Sequence, residues 1–371
     1  MIVVVVLAVS SWYLVGPAST SGNAASTTTS VGTSTSTTST TSTTSKVTPA
    51  TRPEHPEPYW TVLSSSARGV MVDYRNIKVG SVVFRAIRLR ARTTLLRWHV
   101  GAGDPNAWRA APPDAGPAID WANEGPAGVV AVFNGAFKQG AKAGGAVVDH
   151  VVLEPLLRGY MTIALNAAGH WEMGVWGARN FPTSGFGAIA LRQNLAPLVQ
   201  HGALTSAAQT TNWKFWGDPI NENPLTARTG LGIDAQGNLI YVATMTGVLA
   251  PTLGRALIAA GAVTAMQLDI NPYWPILGAS PRPLHRRGLF SVQLPGAQHN
   301  ASIFERGWER DFFVALAEPS SWNCSWSSPG ISGAPGAQPQ PLRLRGNGCG
   351  ALGSSTNPPT TMSSSSGAST P

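Results

Sequence analysis

ARTGLGIDAQGNLIYVATMTGVLAPTLGRALIAAGAVTAMQLD, residues 227–269, reads as strand, tight turn, strand, helix and strand in succession. Gly230–Ile233 and Leu239–Thr244 are short apolar runs rich in β-formers. Asp234-Ala235-Gln236-Gly237-Asn238 between them supplies Asp to shape a hairpin and Gly for a left-handed turn position. Pro251 at a first turn, Leu253, Leu257 and Ile258 on one face, and Gly261 as a stop predict a helix over 251–260. The chain then enters a further strand, Val263 to Asp269.

The same signals extend outward over residues 59–318. Runs at Val79–Val83, Ala86–Leu96, Gly128–Phe133, Tyr160–Leu165, His170–Trp176, Gly187–Leu191 and Leu289–Leu294 read as strands ended by Gly, Pro, Asn or Asp. Ala167-Ala168-Gly169 marks a second hairpin, and a short helix is expected over Leu195–Gln200. Mostly antiparallel or mixed strands with a few packed helices predict the α+β class, in a single large domain with disordered tails.

Composition agrees with one packed domain. Of 371 residues, 43% are hydrophobic and 12% charged, with 40 Gly, 29 Pro and 13 Trp, which argues against disorder throughout and against a long coiled coil. The only apolar stretch approaching spanning length is at the N-terminus, so a polytopic membrane protein is excluded. The net charge of +8 is thinly spread. Arg88, Arg90 and Arg92 alternate with Ile87, Leu89 and Ala91 in the period of a half-buried strand, which fits either a solvated face or contact with an anionic polymer. No basic helical stripe, zinc-finger spacing or aromatic ribonucleoprotein motif accompanies them, so nucleic acid is not an expected partner.

Residues 1–17 read as a signal peptide or a short signal anchor, which places the protein outside the cell or on its surface. Any membrane contact is then through this segment alone. Residues 18–58 form a Ser/Thr-rich stalk that cannot pack a core, and residues 319–371 a Ser/Gly/Pro-rich tail. The tail holds both cysteines, Cys324 and Cys349, which suit one disulfide in an exported chain better than a metal site. Asn300-Ala301-Ser302 and Asn323-Cys324-Ser325 match the N-glycosylation sequon.

The strong catalytic signatures are missing. There is no phosphate loop, dinucleotide fingerprint, His-Glu-x-x-His helix or Gly-x-Ser-x-Gly elbow, and the seven His are scattered, with His170 placed as a turn residue. Four strand ends carry polar groups: Asn134-Gly135 after a buried-type strand, Arg192-Gln193-Asn194, Arg228-Thr229, and Asp269 with Asn271. Loops at strand ends are where rigid scaffolds present functional groups. Glu154 is the other central carboxylate suited to a second acid. Trp171, Trp176, Trp213 and Trp216 either line a sugar platform or pack the core.

In this order the segments resemble the phosphodiester glycosidase family. Asn134-Gly135-Ala136-Phe137 is similar to its Asn-Gly-Gly-Phe, Ala227-Arg228-Thr229 with Gly232-Ile233-Asp234 to its Pro-Arg-Thr and Gly-Ile-Asp, Ala260-Gly261-Ala262 to its Leu-Gly-Ala, and Gln267-Leu268-Asp269 to its Asn-Leu-Asp. Arg310-Asp311-Phe312-Phe313 also looks like exported bacterial relatives. The resemblance implies hydrolysis of a sugar-1-phosphodiester in a wall or extracellular glycan, with no cofactor; the need for a metal and the oligomeric state stay open. It implies Asp269 as base or nucleophile, Arg228 as the phosphate grip, and Asn134 and Thr229 as orienting groups. Arg192, Asn194, Asn271 and Glu154 are further candidate substrate contacts. The family's glycine-rich loop after the aspartate is here Ile270-Asn271-Pro272-Tyr273-Trp274. Either the pocket is rebuilt with Tyr273 and Trp274 stacking on a sugar, or the fold serves as a non-catalytic glycan-binding surface protein.

Overall fold

Alternating apolar runs pair into three antiparallel sheets in the computed structural model, which describes residues 60–105, 115–210 and 212–318. The N-terminal segment, the stalk, and the tail with Cys324, Cys349 and the Asn323 sequon lie outside the described residues. The first sheet has eight strands in the order β1 (Thr61–Ser66), β2 (Gly69–Val79), β3 (Val82–Leu89), β14 (Leu239–Val248), β13 (Thr226–Ile233), β15 (Thr264–Ile270), β11 (Val199–Gln200), β12 (Ala203–Leu204). The second runs β17 (Val292–Gln293), β16 (Leu277–Leu284), β5 (Val129–Asn134), β18 (Phe312–Ala317), β4 (Thr94–His99). The third runs β7 (Val151–Glu154), β6 (Ala146–Val148), β10 (Ala188–Gln193), β8 (Met161–Asn166), β9 (Trp171–Val175).

The three sheets share one core. Met71, Ile87, Leu231 and Leu268 from the first sheet, Leu96, Phe133 and Phe313 from the second, and Ile163 and Met173 from the third form one contiguous buried cluster. Burying apolar surface from all three at once is the main term that holds them together. The other face of the first sheet is covered by helix α1 (Ala250–Ala259), whose Leu253, Ala256 and Leu257 pack with Phe84, Ile240, Val242 and Ala265. Gly230 makes that approach possible: a Cβ there would lie 2.9 Å from Leu257 Cδ1.

The expected α+β class does not hold. Among the described residues α1 is the single α-helix, and the domain is built of antiparallel sheet. The helix expected over Leu195–Gln200 gives way because a neighbouring loop and strand β15 take its backbone groups. Leu195 N–H donates to Ala143 O and Leu198 N–H to Ala265 O, Leu195 sits at φ 59°, and Val199 joins β15. Other boundaries move in the same direction. Val79–Val83 is the β2–β3 hairpin and its flanks rather than a strand, and Ala86–Leu96 is the end of β3, a turn and the start of β4. The hairpins at 167–169 and 234–238 form where expected, and both Asp234 carboxylate oxygens accept from Asn238. Arg88 and Arg90 are not a plain wet face: both pair with the buried Asp73 carboxylate. Trp171 packs against the central core and Trp216 within the core under α1.

Replacing Gly230 by Val is expected to cost about 1–3 kcal/mol by forcing α1 off the sheet. The check is a lower urea midpoint with an unchanged slope.

Candidate functional site

Asp311, the residue before β18, is fully buried. An isolated carboxylate cannot persist there, so the sequence surrounds it with donors. Arg192 from β10 reaches its Oδ2 through Nε at 2.8 Å and its Oδ1 through Nη2 at 3.3 Å, Trp98 Nε1–H from β4 donates at 2.9 Å, and Ala136 N–H at 3.3 Å. Gly135 is glycine because of this carboxylate, since a Cβ there would stand 2.3 Å from Asp311 Oδ2. The Gly135 backbone is thereby free to bridge two sheets, its N–H donating to Asp311 O at 2.8 Å and its C=O accepting from Asp269 N–H at 3.0 Å.

Asp269 is aimed by a bulge. On β15, Gln267 faces α1 and bonds Arg228, and strict alternation would put Asp269 on that same face. The register between β13 and β15 shifts between Arg228 and Gly230, with Arg228 opposite Ile270 and Gly230 opposite Gln267, so β15 carries an extra residue there. Ile270 therefore joins the core under α1, and Asp269 turns to the opposite side, toward β18. Its carbonyl accepts from Thr229 Oγ1 at 2.7 Å, Thr229 Oγ1 accepts from Asn134 Nδ2 at 3.0 Å, and Asn134 Oδ1 accepts from Tyr241 Oη at 2.7 Å and from Ile276 N–H at 3.2 Å. Asn134 and Thr229 are thus bound up in holding the Asp269 backbone.

The Asp269 carboxylate itself is left partly unserved. Oδ1 accepts from Ile270 N–H at 2.9 Å, whereas Oδ2, buried and lacking any directed hydrogen bond, lies 2.8 Å from Arg310 Nη2 as an ion pair. Burial pushes the acid up to about 7, and Asp311 adds to the rise; Arg310, the Ile270 N–H and Arg192 work against it. Arg310 lies over the Trp274 ring, its guanidinium carbon 4.7 Å from the centroid. Trp274 continues into a partly exposed aromatic cluster with Trp308 (5.9 Å), Tyr273 (6.1 Å) and His299, which packs on both Trp308 and Tyr273. Asp104 stands 3.8 Å from Arg310 Nε. Burial raises the Glu154 acid, Arg192 opposes the rise and Asp104 adds to it, and Glu154 Oε1 is buried without a hydrogen-bond partner.

The structure therefore gathers Asp269, Asn134, Thr229, Arg192, Trp274 and Tyr273, with Glu154 within electrostatic reach of Arg192. Arg228 is placed elsewhere. Fully buried on the α1 face, it donates to Val248 O, Trp216 O, Pro224 O and Gln267 Oε1, and burial lowers it to about 10. Asn194 braces β15 through Gln267 O and accepts from Phe137 N–H. Asn271, at φ 77°, accepts from Ile220 N–H and Thr226 Oγ1 and fixes the chain leaving β15. Sequence reasoning missed the roles of Arg310, Asp311, Trp98, Tyr241, Trp308 and His299; the one signal was the Arg310-Asp311-Phe312-Phe313 segment. Among the described residues no group of three or more His, Cys, Asp or Glu is placed to hold a metal ion, and no helix is long and apolar enough to cross a membrane.

The family model for phosphodiester glycosidases matches residues 127–269, a span that includes Asn134, Arg228, Thr229 and Asp269 and ends before Arg310. That match supports a hydrolase of glycosidase type. No curated protein matches the sequence. Among solved structures, the zebrafish N-acetylglucosamine-1-phosphodiester alpha-N-acetylglucosaminidase catalytic domain, auto-inhibited by its pro-peptide, is 12% identical over 70% of this chain and 88% of its own, with a TM-score of 0.43. A hypothetical protein from Synechocystis is 10% identical over 67% of this chain and 62% of its own, with a TM-score of 0.39.

Asp311→Asn leaves the Arg192 guanidinium buried without its counter-charge and is expected to cost about 3–5 kcal/mol, as breaking a buried pair does. Equilibrium denaturation at neutral pH measures it.

Proposed function

From the match of residues 127–269 to the phosphodiester glycosidase family, we propose that this protein cleaves the bond between the anomeric carbon of a sugar and a phosphodiester oxygen. The observation that carries the reading is the Asp269 carboxylate, buried, with one oxygen free of directed hydrogen bonds, beside an aromatic wall. The substrate is a glycosyl phosphodiester in a wall polymer or extracellular glycan. Residues 59–318 form the catalytic unit, carried on the 18–58 stalk outside the cell.

The chemistry asks little of a general acid. When the anomeric C–O bond breaks, its electron pair leaves on a phosphate monoester, already a good leaving group, so one carboxylate is enough. Asp269 acts in its ionised form, either by attacking the anomeric carbon or by taking the proton of the water that does. Tyr273 and Trp274 offer ring faces on which a pyranose stacks. Arg192 serves through Asp311, and Glu154, within electrostatic reach of Arg192, is the second carboxylate.

A second reading has its own observation. The aromatic loop that replaces the family's glycines, together with an Asp269 already paired to Arg310, suits a surface protein that holds a glycan without cleaving it.

Two measurements on the intact protein separate these. With a panel of sugar-1-phosphodiesters, Asp269→Asn is expected to lower kcat/KM by about 10²–10⁴-fold; a wild-type protein that binds glycan and releases no sugar supports the second reading. Because the acid titrates at about 7 and its ionised form is the active one, kcat/KM should rise about tenfold per pH unit below 7 and level off above it.

A further inference from the structure

We propose that Arg310 is the clamp for the substrate's phosphate group, holding it against Trp274 beside Asp269. The inference rests on the glycosidase reading for the identity of the substrate, and on geometry for the site. Three arginines are buried in this region, and only Arg310 both pairs with Asp269 and keeps a donor without a hydrogen-bond partner. Arg228 points away under α1 into backbone carbonyls and Gln267. Arg192 spends its fork on both oxygens of Asp311, and its remaining nitrogen on Gln193 O, with Nη2 also reaching Phe137 O.

Arg310 differs. Its side chain is only 7% exposed, yet Nε has no hydrogen-bond partner; the nearest carboxylate, Asp104, is 3.8 Å away, beyond hydrogen-bond length. Nη2 makes a long bond to Ala136 O at 3.3 Å and touches Asp269 Oδ2, which is itself without a directed hydrogen bond. A buried guanidinium that pairs with Asp269 through Nη2 and keeps an Nε–H without a partner has a donor left for an anionic ligand. Stacking on Trp274 holds the guanidinium plane fixed, which suits a fork that takes two oxygens of one tetrahedral anion. Beyond Trp274 the rings of Trp308, His299 and Tyr273, the last 50% exposed, extend the surface outward for a ring attached to that phosphate.

The clamp also couples to Asp269. Arg310 is the main group that favours its ionised form, with Arg192 and the Ile270 N–H assisting and Asp311 opposing. An anion seated on Arg310 withdraws that support and adds its own charge, so the acid limb of kcat should lie at higher pH than the limb of kcat/KM.

The test uses the intact protein with Arg310→Gln and Arg310→Lys, and calorimetric binding of phenyl phosphate and of phenol. Phenyl phosphate is expected to bind the wild type about tenfold or more tightly than Arg310→Gln, with Arg310→Lys in between, while phenol binds all three alike. Equal binding of phenyl phosphate to the wild type and Arg310→Gln overturns the proposal. So does a parallel loss for phenol, which would make Arg310 a prop for the aromatic wall alone, and so does failure of the wild type to bind phenyl phosphate. Thermal unfolding of each variant checks the fold. Should Arg310→Gln not fold, Arg310→Lys decides, since it keeps the charge and loses the fork: phenyl phosphate weakened with phenol unchanged supports the clamp, and no change refutes it. Sugar release from diesters is followed in parallel. Arg310-dependent binding without any sugar release keeps the clamp and removes the glycosidase reading.

Discussion

The Asp311 carboxylate is where the domain is tied. It takes donors from β4, from β10 and from the turn after β5, and through Gly135 the same turn reaches the backbone of Asp269 on β15. One buried anion thus pins all three sheets at a common point. Its burial would be prohibitive if any of these donors were missing, which explains why Arg192 is itself nearly inaccessible and why position 135 has no side chain. Hydrophobic burial supplies most of the driving force for bringing the sheets together, but it is non-directional. The Asp311 contacts are directional, and they set where the sheets stop.

Much of this was legible in the sequence, and the failures have physical reasons. The 227–269 stretch gave its hairpin, helix and final strand because period, turn residues and helix stop agreed there. The class was misjudged because short apolar runs such as Leu195–Gln200 carry no period strong enough to decide between helix and strand, and distant strands decided it. Asn134, Thr229 and Asp269 meet in the structure, where the first two hold the backbone of the third. The resemblance implied Arg228 as a phosphate grip, whereas the bulge on β15 turns Asp269 to the face away from it. Arg310 and Asp311 lie far along the chain from the residues they serve, and nothing local announces such a pairing.

Arg228 shows how a motif residue can shape the backbone around it. It is a fully buried cation whose hydrogen bonds go to three carbonyls and an amide rather than to a carboxylate. Those carbonyls come from Trp216, Pro224 and the end of β14, so the side chain gathers the irregular 213–225 segment against β13. The same segment contacts Asn271 through Ile220 N–H, and Asn271 directs the loop that carries Tyr273 and Trp274. The guanidinium therefore shapes the aromatic wall from behind, through backbone rather than through charge.

The bridge from Gly135 to Asp269 has a consequence for the history of the chain as well as for its finished form. Residues 134, 192, 229 and 269 belong to three different sheets, with Arg310 just ahead of β18, and the β8–β9 and β13–β14 hairpins can close before these residues meet. Contacts of such long sequence separation form late, after the entropy of closing the intervening loops has been overcome. A chain with all its hairpins and none of its sheet-to-sheet contacts has an Asp269 exposed to water, without Arg310 and with an ordinary acidity. The surroundings that raise the Asp269 acid accordingly belong to the docked sheets together and to no single hairpin.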